Sequence, residues 1–267
     1  MASPARSKSS KLAFPWLWPV LLVTAGVVLL LDNFLLLEGF NAVALLPLLL
    51  IVAGAQVLLR GDIIPTSESR TFGITRGSVE SATLEISSGG IDVAVRPLQR
   101  EGRLIAGQFA PGARPALNVQ DTYAHIRMDR AATPWFALTD WAAALATDLP
   151  WQVLVSTHLG QIDLDLSDVI IHEAIIASGV GDIRLVCPPE AFKPVYVRSA
   201  LGNIHIVAPP GHRVRVQVNG SRFFRARHDE YRYDMTAPGI FDAKDADPDA
   251  PQVVIQVSGT FGDAYLV

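Results

Sequence analysis

The stretch HLGQIDLDLSD, residues 158–168, places Asp163, Asp165 and Asp168 just after His158. Such a cluster suits a metal site, an acid–base pair or merely the outer face of a strand. The surrounding pattern decides between them. Gly160 within this stretch has counterparts at Gly181 and Gly202, 21 residues apart each time. The coils read HLGQIDLDLSDVIIHEAIIAS, GVGDIRLVCPPEAFKPVYVRS and ALGNIHIVAPPGHRVRVQVNG. An earlier copy, SGGIDVAVRPLQREGRLIAGQ, aligns on Gly89, and a partial one, TFGDAYLV, aligns on Gly262. A fixed period of this kind marks a solenoid or an array.

The columns of this alignment predict what each side chain does. Two residues after each glycine stand Ile91, Ile162, Ile183, Ile204 and Ala264; four after stand Val93, Leu164, Leu185, Ile206 and Leu266. Stacked in consecutive coils, they form apolar ladders inside the domain. Segments such as ATLEIS, AHIRMD and RVRVQV alternate apolar and polar residues, as strands with one buried face do. Three residues after the glycines stand Asp92, Asp163, Arg184, His205 and Tyr265. These fall on the outer face, on rungs about 4.8 Å apart. An opposite-charge pair there contributes about 0.2–1 kcal/mol. The carboxylates of the opening stretch therefore read as outer-face residues. Pro97, Pro189 and Pro210, eight residues after their glycines, suit corners where no ladder donor is needed.

The 267-residue chain is 50% hydrophobic, and the excess is concentrated in two uncharged runs at residues 12–31 and 41–59. At about 1.5 Å of helix rise per residue, each run can cross a hydrocarbon core of about 30 Å. A secretory signal peptide is the rival reading of the first run, but that run is long for one and a second follows at once. Arg6, Lys8, Lys11 and Arg60 flank the pair, while the connection holds Asp32 and Glu38 and no Lys or Arg. That asymmetry places both ends in the cytoplasm. A lone cysteine, Cys187, accords with a reducing compartment. The expected fold class is thus an N-terminal two-helix transmembrane hairpin followed by an all-β, single-stranded β-solenoid with 21-residue coils. Its divisions are a basic tail at residues 1–11, the hairpin at 12–60, a linker at 61–75 and the solenoid at 76–267.

Two tracts resemble the LiaF-like family, also called cell-wall-active antibiotic response proteins. In the first, Gly26, Asn33, Pro47, Gly54 and Arg60 stand where that family's membrane segment has its glycines, asparagine, proline and closing basic residue. In the second, Leu164, Asp165, Leu166 and Ser167 supply a characteristic LDLS segment, with Gly181 and Pro188 following. One departure is the single hairpin, where some relatives carry more spans. The resemblance implies a C-terminal toastrack-type β-solenoid and a regulatory role, exerted on a membrane sensor kinase in envelope-stress signalling.

Motifs of catalysis are missing from the sequence. There is no G-x-S-x-G turn, no pair of histidines at the spacing of a zinc helix, and no glycine loop leading into a helix. Asp245, Asp247 and Asp249 alternate in DAKDADPD without the glycine and glutamate of a calcium loop. No enzyme activity, cofactor or metal is expected. Two stretches interrupt the repeat. The first is residues 110–150, within which residues 133–147 contain Trp135, Leu138 and Trp141 at three-residue spacing, which predicts a helix capping the solenoid or an aromatic docking surface. The other, residues 212–233, gathers Arg213, Arg215, Arg222, Arg225, Arg227 and Arg232 around Phe223, Phe224, Tyr231 and Tyr233. This basic aromatic stretch reads as a solvated hairpin, or as a contact for lipid or an acidic partner. One basic patch in a chain of net charge −4 gives nucleic acid little support.

The expectation is a non-enzymatic, multi-pass protein of the bacterial inner membrane, its solenoid facing the cytoplasm and contacting a signalling partner such as a sensor kinase. The alternatives are a scaffold that self-assembles into homo-oligomers and, in third place, a carbohydrate-binding or carbohydrate-active solenoid.

Overall fold

The computed structural model describes residues 70–100, 102–109, 115–129 and 140–267. Within them the chain forms eighteen strands joined by turns. Three consecutive coils follow the 21-residue period. Each sends one strand along a first face and, past a glycine corner, a second strand along a second face: β8 (Trp151–Leu159) with β9 (Ile162–Asp165), β10 (Ile170–Val180) with β11 (Ile183–Val186), and β13 (Val195–Leu201) with β14 (Ile204–Val207). All pair in parallel, rung on rung. Ile162, Ile183 and Ile204 stand in one register column and are 1%, 0% and 0% exposed. The inward residues of both faces meet in one apolar core.

What allows the corners to stack is the glycine column. Gly160, Gly181, Gly202 and Gly262 have φ of 140°, 140°, 145° and 127°, a region that side-chain-bearing residues avoid. A Cβ on Gly181 would fall on the carbonyl oxygen of Gly160, and one on Gly202 on that of Gly181. The residues that follow tie adjacent corners together. The Asp182 carboxylate accepts the amide of Asn203 at 2.7 Å, and the Asn203 side chain accepts that of Asp263 at 3.1 Å.

The ends depart from simple winding. The first coil, β2 (Ser81–Ser87) and β3 (Val93–Pro97), lies between β8 and β9 on one side and β6 (Tyr123–Asp129) and β7 (Trp141–Leu145) on the other. At the opposite end β18 (Gln252–Leu266) inserts between the coil of β13 and β14 and the outermost strand, β15 (Arg213–His228). Both edges of β18 are therefore paired. Antiparallel strands add to the periphery: β4 (Arg103–Phe109) on β7, β1 (Arg70–Thr75) on β4, and β5 (Ala116–Gln120) on β6. A hairpin of β16 (Tyr233–Ala237) and β17 (Ile240–Ala243) leans on the start of β15.

Five expectations need correction. The fold class is all-β through the described residues, which contain no helix and so no helix long and apolar enough to cross a membrane. The two-helix hairpin expected at residues 12–60 lies outside the described residues. Instead of a plain single-stranded winding, the ends are interleaved and edged with antiparallel strands. The helix expected across residues 133–147 is replaced at Trp141–Leu145 by β7, the preceding residues 130–139 lying outside the described set. Trp141, Ala143 and Leu145 all point into the core at a two-residue spacing, so burial between β3 and β4 overrides the helix preference of the alanines. Residues 70–75, expected within the linker, form β1.

The fifth correction is one of register. In the first coil Val93, not Ile91, pairs with Ile162, and Ala94, not Asp92, with Asp163. Its corner is two residues longer, so Ile91 lies beside Gly160. Asp92 moves into the column of tying residues, and its carboxylate accepts the amide of Gln161 at 2.7 Å.

Gly181→Ala is expected to destabilise the domain by more than about 3 kcal/mol, since it combines a forbidden φ with a backbone collision. Gly77→Ala, at φ 57° with open space around it, should cost only about 1–2 kcal/mol. Equilibrium denaturation of the two variants checks this contrast. Cys187 is fully buried, and burial pushes its thiol well above the usual range. A thiol reagent should accordingly label the native chain far more slowly than the urea-unfolded chain, at the rate of global opening.

Candidate contact surface

The basic aromatic stretch becomes β15, and strand alternation divides its members. Phe223 projects outward, 66% exposed, and stacks on Phe261 of β18 at 5.3 Å between ring centroids. Phe224 points inward and is buried. It stands opposite Gly262, at the end of the glycine column, and its ring lies against Gly259 and Gly220, where a Cβ would strike it. The strand turns this corner by a bulge between Gly220 and Phe223 rather than by a glycine of positive φ.

The arginines divide too. Arg215 holds Asp242 with two hydrogen bonds, Nε at 2.7 Å and Nη2 at 2.9 Å. Arg227 pairs with Asp263 at 3.0 Å and lies 5.9 Å from the Tyr265 ring centroid. Arg213 donates to the Pro248 carbonyl at 3.4 Å, and Arg232 to that of Ala208 at 2.8 Å. Arg222 and Arg225 are exposed and make no ion pair among the described residues. Trp141 is fully buried and cannot serve as the docking contact expected of it; Trp135 lies outside the described residues.

A feature that the sequence reading passed over runs into the same strand. Leu159, Val180, Leu201, Phe261 and Phe223 occupy one register column across β8, β10, β13, β18 and β15. All five are exposed, between 43% and 66%. They form an apolar ladder of four rung spacings, about 19 Å, along the corner of the solenoid. Its signal is present in the repeat, because Leu159, Val180, Leu201 and Phe261 directly precede Gly160, Gly181, Gly202 and Gly262.

On the second face, two of the three opening carboxylates, Asp163 and Asp165, are already engaged. Asp163, Arg184 and His205 stand on successive rungs, followed by Tyr265 and Arg227. Asp163 pairs with Arg96 and, at 3.2 Å, with Arg184. Partial burial pushes the Asp163 carboxyl up, but the hydrogen bonds and charges of Arg96 and then Arg184 outweigh it and hold the group below the usual range. Asp165 accepts the amide of Ser167 at 3.1 Å, closing a local turn. His205 stacks on Tyr265 at 4.9 Å. This is an outer face knitted together by ion pairs and stacking.

No family model matches the sequence, and no curated protein matches it. Among solved structures, a candidate cell adhesion protein from Clostridium sporogenes superposes with a TM-score of 0.63 at 13% identity, over 74% of this chain and 98% of that one. At that identity the likeness is one of fold: the β-rich, solenoid-like domain is shared. Candidate adhesins from Bacteroides fragilis (9% identity, 76% of this chain and 99% of that one) and Parabacteroides merdae (10%, 75% and 97%) give TM-scores of 0.32 and 0.24, too low to carry an argument.

The Arg215–Asp242 pair makes a pH-dependent contribution of predictable sign. The hydrogen bonds from Arg215 hold the Asp242 carboxyl below its usual range, against partial burial. A depressed folded value means stabilisation that is complete above the ordinary carboxylate pKa of about 4 and is lost as pH falls through the lower folded value. Both side chains keep contact with solvent, so about 0.5–1 kcal/mol is expected. Thermal melts of wild type and Arg215→Gln should differ most at pH 7 and converge as the pH falls below the ordinary carboxylate range and through the lower folded value of Asp242.

Proposed function

We propose that this chain is a non-enzymatic, membrane-anchored regulatory protein whose solenoid acts by protein–protein contact. The observation that carries the reading is the exposed apolar ladder from Leu159 to Phe223, a continuous hydrophobic line along one corner of the solenoid. Contiguous apolar surface of this kind characterises interaction sites. The use of Asp163 and Asp165 in ion pairing and turn closure favours contact over chemistry on the second face. The uncharged runs at residues 12–31 and 41–59 favour attachment to a bilayer, and the basic flanks Arg6, Lys8, Lys11 and Arg60 favour a cytoplasmic solenoid. The finer reading, a LiaF-like regulator of envelope stress acting on a membrane sensor kinase, is supported by the Leu164–Ser167 segment and the glycine-led strands that follow. Contact is also what the adhesion description of the Clostridium sporogenes protein implies for that protein.

A photo-crosslinking side chain placed at Leu201 in the full chain, in native bacterial membranes, tests the reading. A discrete adduct with an envelope or kinase protein is expected from Leu201 and not from Glu80, an exposed control position away from the ladder. Identical patterns from the two positions, or no adduct from either, would overturn it.

A further inference from the structure

We infer that the outer edge of β15, residues 221–227, is a docking edge to which an extended, acidic segment of a partner protein adds as one more parallel rung. The inference rests on the contact reading above and names the partner's chemistry. Four observations converge on this edge.

The first is its open backbone. β15 pairs along its whole inner side with β18, but on its outer side β17 covers only Arg215, Val216 and Gln217. Beyond the Val218 amide, which donates to the Gly239 carbonyl at 2.8 Å, no strand among the described residues pairs with that side. A strand edge with free N–H and C=O groups is a template for another strand. The second is the apolar ladder, which ends on this strand. Phe223, its last member and most exposed at 66%, offers its free flank to whatever side chain occupies the next rung.

Charge is the third observation. Arg222, Phe223 and Arg225 are exposed, and neither arginine has an ion-pair partner among the described residues. Arg227, farther along, is already shared with Asp263. Cations on an edge oppose pairing with an identical edge, which argues against a second copy of this strand and for a carboxylate-bearing one. The fourth is the register rule that the molecule itself displays. Every rung from β8 to β18 has an apolar residue in the Phe223 column; β18 presents Asp263 in the Arg225 column. A strand continuing that rule would put an apolar residue beside Phe223, a carboxylate beside Arg225 two residues on, and another beside Arg227 two further.

The probe is a labelled synthetic peptide, LGDIDLDL, which is residues 159–166 with aspartate in place of Gln161. Its binding to the full chain in detergent is followed by fluorescence anisotropy. Saturable binding is expected. It should weaken at least about tenfold for the double variant Arg222→Glu/Arg225→Glu, because reversal turns the attraction at Arg225 into a repulsion and sets a second like charge at the mouth of the edge. Methylation of alternate backbone amides of the peptide should abolish it, since a methylated amide cannot join a ladder. Protection of Cys187 from a thiol reagent verifies that the variant is folded. Absence of saturable binding, equal binding to the double variant, or indifference to methylation would each overturn the inference. So would a dimer of the chain that Arg222→Glu/Arg225→Glu dissolves, which would assign the edge to a second copy. Failure of the peptide with Leu201 adducts intact removes this docking mode and leaves the contact reading standing. Loss of the adducts removes the reading on which it rests.

Discussion

The close approach of successive corners is the constraint on which the solenoid rests. Parallel strands on two faces can stack at strand spacing only if the chain reverses between faces without a side chain in the way. Gly160, Gly181, Gly202 and Gly262 meet that requirement, each with positive φ and each against the carbonyl of its neighbour or, for Gly160, of Ile91. With the corners nested, the isoleucines two residues later fall into one interior column. The side chains of Asp92, Asp182 and Asn203 satisfy amides that the turn would otherwise leave without partners.

The same geometry explains the ends. An exposed rung invites further pairing, and the chain manages this by interleaving. β6 and β7 are placed outside the first coil, and β18 is slid in beneath β15, so that the last strand in sequence is an interior strand in space. Its pairing on both sides closes the fold through contacts very distant in sequence, such as Ala264 with Ile204. At β15 the corner is made differently: a bulge replaces the glycine, and the Phe224 ring occupies the room left by Gly220 and Gly259. The residue beside it, Phe223, is thereby turned outward to end the apolar ladder. A packing solution at the end of the core and an exposed surface feature are thus consequences of one local rearrangement.

Much of this was legible as periodicity. The 21-residue spacing predicts the stacking of Ile162, Ile183 and Ile204, and the outer-face column of Asp163, Arg184 and His205 follows from strand alternation. The longer first corner was not legible, because aligning on Gly89 hides two extra residues that shift Val93 into register with Ile162. Nor was the fate of Trp141, whose spacing from Trp135 and Leu138 suits a helix while its burial belongs to a strand. Of the candidate contact residues, strand alternation foretells that Phe223 and Phe224 face opposite ways. It does not foretell which of them is outside, since the bulge resets the phase.

The sequence by itself determined the coil period, the residues that line the interior and the charged identity of the outer face, because these depend on local spacing that every rung repeats. Tertiary structure alone decided the order of the rungs, the interior place of β18, the pairing of Arg215 with Asp242 and Arg227 with Asp263, and the open edge of β15. Those features depend on which distant strands lie side by side. That choice is made by the competition among edges for partners, and no local pattern encodes it.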